Sequence, residues 1–287
     1  VPPKLFGNRM SDAAKARTTK DGAPPPEPII VRMLAPFGRV FLDFLATVGK
    51  LSIFTGRALR HSVTAPFYWR LTLRQMIDIG YYSLPVVGMT AIFTGMVLAL
   101  QSYSGFSRFS AEGAVATVVV LSMTRELGPV LAGLMVAGRI GASMAAEIGT
   151  MKVTEQIDAL TTLSTNPYKY LVAPRLIAGL LMMPLLVAVA DIIGVFGGFL
   201  IAVNKLDFNA ANYLTQTFEF LETKDVVSGL VKAAVFGFVI SLMGCYHGYN
   251  SKGGAQGVGT ATINAVVSSL ILILIFNYII TEMFFDI

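Results

Sequence analysis

The sequence predicts an all-α membrane protein. Five transmembrane helices are expected, preceded by an amphipathic helix lying in the membrane interface. Three observations predict this. Apolar types make up 54% of the 287 residues and charged types only 14%, whereas a soluble domain carries about 25% charged residues. Mean hydropathy is +0.67. The few charges are also segregated, leaving long stretches that carry almost none. The same composition excludes a soluble globular enzyme and, over most of the length, disorder. The single cysteine, Cys245, permits no intrachain disulfide and no multi-cysteine cluster. His61 and His247 have no companions, so no metal site is expected and both histidines read as structural.

The elements follow in chain order. Residues 1–28 contain Pro2, Pro3, Pro24, Pro25, Pro26 and Pro28 among Lys, Arg, Asp and Gly. That composition buries no core and reads as a flexible tail. No apolar run follows its early charges, so it is not expected to be a signal peptide. From Ile29 to about Ser62 the pattern becomes helical. At 100° per residue, Arg32, Arg39, Asp43, Lys50, Arg57 and His61 fall within an arc of about 40°. Ile30, Leu34, Phe37, Phe41, Phe44, Leu45, Val48 and Phe54 occupy the rest. A narrow cationic stripe on an apolar helix suits the interface, with Arg32, Arg39, Lys50 and Arg57 towards lipid headgroups. The alternative is a cytoplasmic helix packed on other protein. After Pro66, the residues Phe67, Tyr68, Trp69, Tyr81 and Tyr82 with Arg70 and Arg74 read as an interfacial belt. Residues 29–78 are thus interfacial, and 79–287 form the membrane domain.

About 20 apolar residues cross the hydrocarbon core. Ile79–Ser107 carries no charge, and its apolar centre is Leu84–Leu100. Gly113–Ala146 is apolar apart from Arg125, Glu126 and Arg139. Leu176–Val203 carries only Asp191. Ala233–Ser251 is free of charge, in a span expected to begin near Val226, and Ile263–Thr281 is free again. The second stretch is too long for one perpendicular crossing, so it is tilted, protrudes or bends near Pro129. Five spans place the termini on opposite sides. Sixteen Lys/Arg fall on the N-terminal side, against Arg108, Lys205 and Lys224 on the other. The N-terminus is therefore expected in the cytoplasm and the C-terminus outside. The positive net charge is then a topology signal and not a sign of nucleic-acid binding.

Four patterns could carry chemistry. Arg125 and Glu126 sit about 18 Å along the second span, where a charge costs about 2.5–3.5 kcal/mol. Neighbours on a helix point about 100° apart, so each needs another partner. Asp191, a second subunit or cavity water could serve. The cluster either orients helices or lines a substrate pathway. Next, Gly133, Ala137, Gly141, Ala145 and Gly149 recur every four residues, as do Gly257, Ala261, Ala265 and Ser269; such stripes let helices approach closely. In the loop from Glu147 to Pro174, Val153, Ile157 and Leu160 repeat at helical spacing. The resulting short amphipathic helix suits either docking of a cytoplasmic partner or an interfacial connection. Last, His247–Gly259 is glycine-rich and contains Lys252, and is expected to be a flexible cytoplasmic turn. It is not a P-loop, and no Gly-x-x-x-x-Gly-Lys-Ser/Thr occurs anywhere in the chain. With no nucleotide, nucleophile or cofactor fingerprint, the chain is not expected to be an enzyme, and any ATP use belongs to another polypeptide.

The ordered motifs resemble a known family. These are Arg125-Glu126-Leu127-Gly128-Pro129-Val130-Leu131, Ala137-Gly138-Arg139-Ile140-Gly141-Ala142, Ala146-Glu147-Ile148-Gly149-Thr150-Met151 and Glu155-Gln156-Ile157-Asp158-Ala159-Leu160. With Tyr246-His247-Gly248-Tyr249 and Gly253–Gly259, they closely resemble the MlaE family, over about residues 30–285. These are permease subunits of ABC-type lipid transporters in Gram-negative envelopes. The resemblance implies a homodimer in the inner membrane and a cytoplasmic ABC ATPase holding ATP and magnesium. It implies a periplasmic MCE-domain ring, a STAS-domain protein on the ATPase, and phospholipid as default substrate, in service of outer-membrane lipid asymmetry. By the same resemblance, Val153–Leu163 would be the coupling helix, with Val153, Glu155, Gln156, Ile157, Asp158 and Leu160 at the ATPase. Arg125, Glu126 and Arg139 match the family's charged positions, and Asp191 joins them as an intramembrane candidate. Two rivals come from other classes. An ion-coupled secondary transporter would use Asp191, Glu126 and Arg125, but such transporters usually show internal repeats and none is evident. A membrane scaffold would need no lipid and no ATPase.

Overall fold

The computed structural model describes residues 29–64 and 67–285. The tail expected at 1–28 and Pro66 lie outside them, as do the side chains of Arg32 and Arg39 on the charged stripe. By internal contacts the chain divides into residues 1–52 and 53–287. Every regular element among the described residues is helical.

Helix α1 spans Ile29–Val63. In its earlier part the Thr47 and Ser52 hydroxyls donate to the carbonyls of Asp43 and Val48, which satisfies them within the helix. In the second unit, Phe54 and Ala58 are buried, one turn apart on the same face. The Phe54 ring lies 5.4 Å from Tyr168, 5.5 Å from Tyr246 and 6.0 Å from Tyr249. The last turns of α1 are therefore pinned by aromatic packing.

The remaining helices are α2 (Trp69–Ile79), α3 (Leu84–Phe106), α4 (Ala114–Val153), α5 (Gln156–Thr162), α6 (Tyr168–Asn204), α7 (Ala210–Glu219), α8 (Thr223–Tyr249) and α9 (Gly254–Phe284). Five are long and apolar enough to cross a membrane: the run Trp69–Phe109 containing α2 and α3, then α4, α6, α8 and α9. The first charge-free stretch began at Ile79, but the helix restarts at Leu84. The tight turn Tyr81–Ser83 intervenes, and Pro85 opens α3 where its missing N–H costs nothing. The span turns alternate, so the bundle has two ends. The near end holds the α4–α6 and α8–α9 connections, and the far end holds the α3–α4 and α6–α8 connections.

The 40 residues of α4 would extend about 60 Å. Two wide turns, Met123–Leu127 and Ala137–Gly141, interrupt its regular ladder. Both are π-type turns, in which one residue is inserted into the helical repeat; such turns concentrate at functional positions. Pro129 follows the first of them.

In a bilayer the lipid is as apolar as the helices, so close packing must hold the spans together. The most buried span is α8, which packs on α4, α6 and α9, and α3 also packs on α6. The closest approaches are backbone to backbone. A Cβ on Gly95 would collide with the Gly194 carbonyl, and one on Gly237 with the Gly179 carbonyl. The stripe in α4 works in the same way. Ala137 and Ala145 are fully buried, and a Cβ on Gly133 would meet the Phe236 ring at 3.2 Å. Ala265 and Ser269 of the second stripe are also fully buried. The described parts of both stripes thus seat helices within one chain.

Two elements differ from expectation. The run His247–Gly259 is mostly helix, closing α8 and opening α9. Residues 250–253 alone turn, and Gly253 and Gly254 supply left-handed backbone at φ +89° and +68°, which glycine adopts at no steric cost. The sequence reading also gave no element between the third and fourth spans, where α7 lies. Its first amides, at Ala211 and Asn212, donate to the Asn209 side chain, and Tyr213 and Thr217 are buried one turn apart. Burial pushes the Tyr213 phenol up to about 12.

Candidate functional site

The intramembrane charges gather towards the far end. Arg125 and Glu126 stand in the first wide turn of α4, and their side chains diverge. Arg125 Nε donates to Asp225 Oδ1 at 2.7 Å. Asp225 is fully buried in the first turn of α8 and also accepts from the Glu222 amide at 3.1 Å, in a reciprocal cap. The Arg125 guanidinium lies 4.5 Å from the centre of the Phe285 ring, within cation–π range.

Glu126 points to α8 and α9. Lys232 Nζ donates to its Oε1 at 2.7 Å. Thr281 Oγ1 donates to the same oxygen at 2.9 Å, and Asn277 Nδ2 to Oε2 at 2.8 Å. Lys232 is fully buried and makes a second bond, to the Arg125 carbonyl at 2.7 Å. In a regular helix that carbonyl would accept from the residue four positions on. That residue is Pro129, which has no N–H. The lysine therefore occupies an acceptor left open by the proline, and one ammonium joins the irregular turn of α4 to α8.

Of the partners the sequence offered, Asp191, a second subunit or cavity water, Asp191 pairs with neither charge. Asp191 lies on α6. Its Oδ1 is buried without a hydrogen-bond partner among the described residues and lies against Gly128, where any Cβ would collide with it. Sequence reasoning missed Lys232 and Asp225. The signal was available: they are seven residues apart, so they share a face of α8 with charges opposite to those of Arg125 and Glu126. Arg139, in the second wide turn, is not joined to this cluster. Its Nη1 donates to Ser83 Oγ at 2.8 Å and to the Asp78 carbonyl at 3.2 Å, tying α4 to the α2–α3 junction.

The near end is organised differently. The amphipathic helix expected over Val153–Leu163 is shorter. Val153 closes α4, Glu155 adopts left-handed backbone at φ +60°, and α5 begins at Gln156. The break lies between Val153 and Ile157, so the apolar spacing spans two helices and not one. Ile157 is buried, Leu160 half-buried, and Val153, Glu155, Gln156 and Asp158 exposed. Lys152 Nζ donates to both Asp158 oxygens at 3.0 and 3.2 Å, clasping α5 to the end of α4. Below it, Arg175 is buried and pairs with Glu147 at 2.8 Å while donating to the Leu171 carbonyl at 2.7 Å. Asn166 Oδ1 accepts from the Tyr168 amide at 2.9 Å, and its Nδ2 lies 3.3 Å from His61 Nε2. The short exposed helix is thus clasped to the end of α4 by one ion pair, and the loop that follows it leads into α6.

Of the sequence-predicted residues, the structure brings Arg125 and Glu126 together with α8 and α9, and gathers 153–160 at the near end. It leaves Arg139 and Asp191 at separate places. Lys50 and Arg57 lie on α1. No group of three or more His, Cys, Asp or Glu residues suited to a metal occurs among the described residues.

Comparison with known proteins bears on the whole arrangement. The family profile Permease MlaE matches residues 72–283. A probable ABC transporter permease protein of Rickettsia bellii is 60% identical over 259 residues, covering 90% of this chain and all of that one. The intermembrane phospholipid transport system permease protein MlaE of Haemophilus influenzae is 31% identical over 258 residues, covering 90% of this chain and 99% of the relative. The chloroplastic protein trigalactosyldiacylglycerol 1 of Arabidopsis thaliana is 35% identical over 234 residues, 82% of this chain and 67% of that one.

Proposed function

The chain belongs to the MlaE family of ABC transporter permeases, and on that footing we propose that it moves phospholipids across or out of the inner membrane. As a permease subunit it is not itself the ATPase, and it works with an ATPase partner. In this reading ATP and magnesium are held by that partner, which docks on α5 and contacts Glu155, Gln156 and Asp158. Two copies form the permease. An MCE-domain protein receives lipid at the far end, which faces the periplasm, and a STAS-domain protein sits on the ATPase. The N-terminus and α5 are cytoplasmic, and residues 29–78 lie in the interface with Lys50 and Arg57 towards headgroups. Residues 79–287 are the permease proper. The physiological consequence is maintenance of outer-membrane lipid asymmetry.

The observation that carries this reading is the placement of α5. A short exposed helix, anchored by Ile157 and clasped by Lys152–Asp158, caps the end of α4 in a chain whose relatives include an intermembrane phospholipid transport permease. Motion of α5 is carried along α4 to the far end, where Arg125 and Glu126 bind α8 and α9. A helix shift there must break or exchange those bonds, so the cluster acts as a latch between two arrangements. Apolar side chains line the outward faces of the spans: Met89 and Phe93 on α3, Met135 on α4, Ile271 and Leu274 on α9. These contact acyl chains.

The rival ion-coupled mechanism would group Asp191 with Arg125 and Glu126. Both of those pair with side chains of α8, and neither pairs with Asp191. The test is native purification of the chain, identification of co-purifying proteins and lipids, and reconstitution in vesicles containing labelled phosphatidylethanolamine. ATP-dependent transfer that requires the ATPase is expected. Transfer by the chain alone under a proton gradient would overturn the reading.

A further inference from the structure

A cavity of about 250 Å³ lies between α2 and α4, lined among others by Gln75, Asp78, Arg139, Ser143 and Glu147. It is separate from the far-end cluster and from α5. Its charges are unevenly satisfied. Glu147 is neutralised by Arg175 at 2.8 Å. Asp78 and Arg139 make no side-chain ion pair among the described residues; Arg139 Nη1 donates to two neutral oxygens, Ser83 Oγ and the Asp78 carbonyl. One cationic and one anionic side chain thus share the wall without a direct ion pair among the described residues. Arg139, Ser143 and Glu147 are themselves exposed, so the cavity is open to the outside. The surroundings indicate the depth. Trp69, Tyr81 and Tyr82 are exposed on the same segment as Asp78, with Arg70 and Arg74, and aromatic side chains with cations mark the headgroup level of a bilayer. From Ser83 the exposed apolar face of α3 continues through Val86, Met89, Phe93 and Val97.

We propose that this cavity binds the headgroup of a zwitterionic phospholipid, with the phosphate at Arg139 and the ammonium at Asp78. A guanidinium donates to phosphate oxygens through paired N–H groups, and Nε and Nη2 of Arg139 supply such a pair. The acyl chains lie along the outward face of α3. The inference rests on the phospholipid reading of function and adds a headgroup class and a place where lipid is held before transfer. An uncompensated Arg alone would select anionic lipids; the uncompensated Asp78 turns the preference to a headgroup carrying an amine.

The test uses the full permease–ATPase complex in nanodiscs containing photoactivatable phosphatidylethanolamine or phosphatidylglycerol, with cross-linked peptides mapped by mass spectrometry. Labelling of residues 75–83 and 139–147 by the ethanolamine lipid is expected to exceed that by the glycerol lipid. Arg139→Gln is expected to lower labelling by both lipids about tenfold, the worth of one charge-assisted hydrogen bond. Asp78→Asn is expected to abolish the preference. If Arg139→Gln fails to fold, Ser143→Phe fills the cavity from its exposed side and is expected to block labelling. Equal labelling by both lipids, a preference that survives Asp78→Asn, or absence of label overturns the proposal. Equal competition by soluble glycerophosphoethanolamine and by unlabelled lipid also overturns it, assigning the site to a free phosphate ester. ATP-driven transfer is measured in parallel. Transfer with an unlabelled cavity defeats this inference alone; no transfer in the wild type defeats the functional reading.

Discussion

The far-end cluster and the short helix α5 at the near end handle charge in opposite ways. At the far end, Arg125 and Glu126 are answered by residues about 100 positions later in the chain, and two of the partners, Asp225 and Lys232, are fully buried. At the near end, Lys152 and Asp158 are six residues apart and partly exposed. A buried ion pair between helices holds tertiary structure, because removing one member strands the other without water. An exposed local pair contributes about 0–1 kcal/mol and leaves its surface available to a partner. The far-end cluster joins three spans, whereas the helix proposed to couple to the ATPase keeps an exposed surface.

The sharpest way to break this contrast is at Glu126. Replacing it with Ala leaves the Lys232 ammonium buried and unpaired, and a loss of about 3–5 kcal/mol is expected, read as a lowered midpoint of thermal unfolding in detergent. The double variant Glu126→Gln with Lys232→Met removes both charges and is expected to recover most of that loss. If the double variant is no more stable than Glu126→Ala, the pair is not the latch described. Next in size is Gly95→Ala, whose methyl would collide with the Gly194 backbone. A cost of about 1–3 kcal/mol is expected, while Gly138→Ala, with open space around it, is expected to stay within about 0.5 kcal/mol. The smallest effect on stability is expected for Lys152→Ala, below about 1 kcal/mol. A loss there as large as that of Glu126→Ala would erase the distinction between the ends.

Much of this architecture could be read from the chain. The charge-free stretches place the five spans, and the motif Arg125–Leu131 marks the turn that carries the far-end cluster. What escaped was pairing. Lys232 immediately precedes the apolar stretch beginning at Ala233, and Asp225 resembles any acidic residue of an outer loop. Nothing in composition tells which of them faces α4. The wide turns of α4 were also invisible, because inserting a residue into the helical repeat changes neither hydropathy nor charge. The start of α5 was misplaced since Val153, Ile157 and Leu160 keep helical spacing across a break set by Glu155 at positive φ. The helix α7 is short and its apolar positions, Leu214 and Phe218, fall between two long spans that dominate the pattern.

In the proposed mechanism, force from an ATPase enters through α5. That step is tested most directly by reversing the exposed charges there, Glu155→Lys with Asp158→Lys, and measuring lipid-stimulated ATP hydrolysis by the assembled complex. Stimulation is predicted to be lost while the permease remains folded and its unfolding midpoint changes little. Unchanged stimulation in a complex that still assembles would contradict the account.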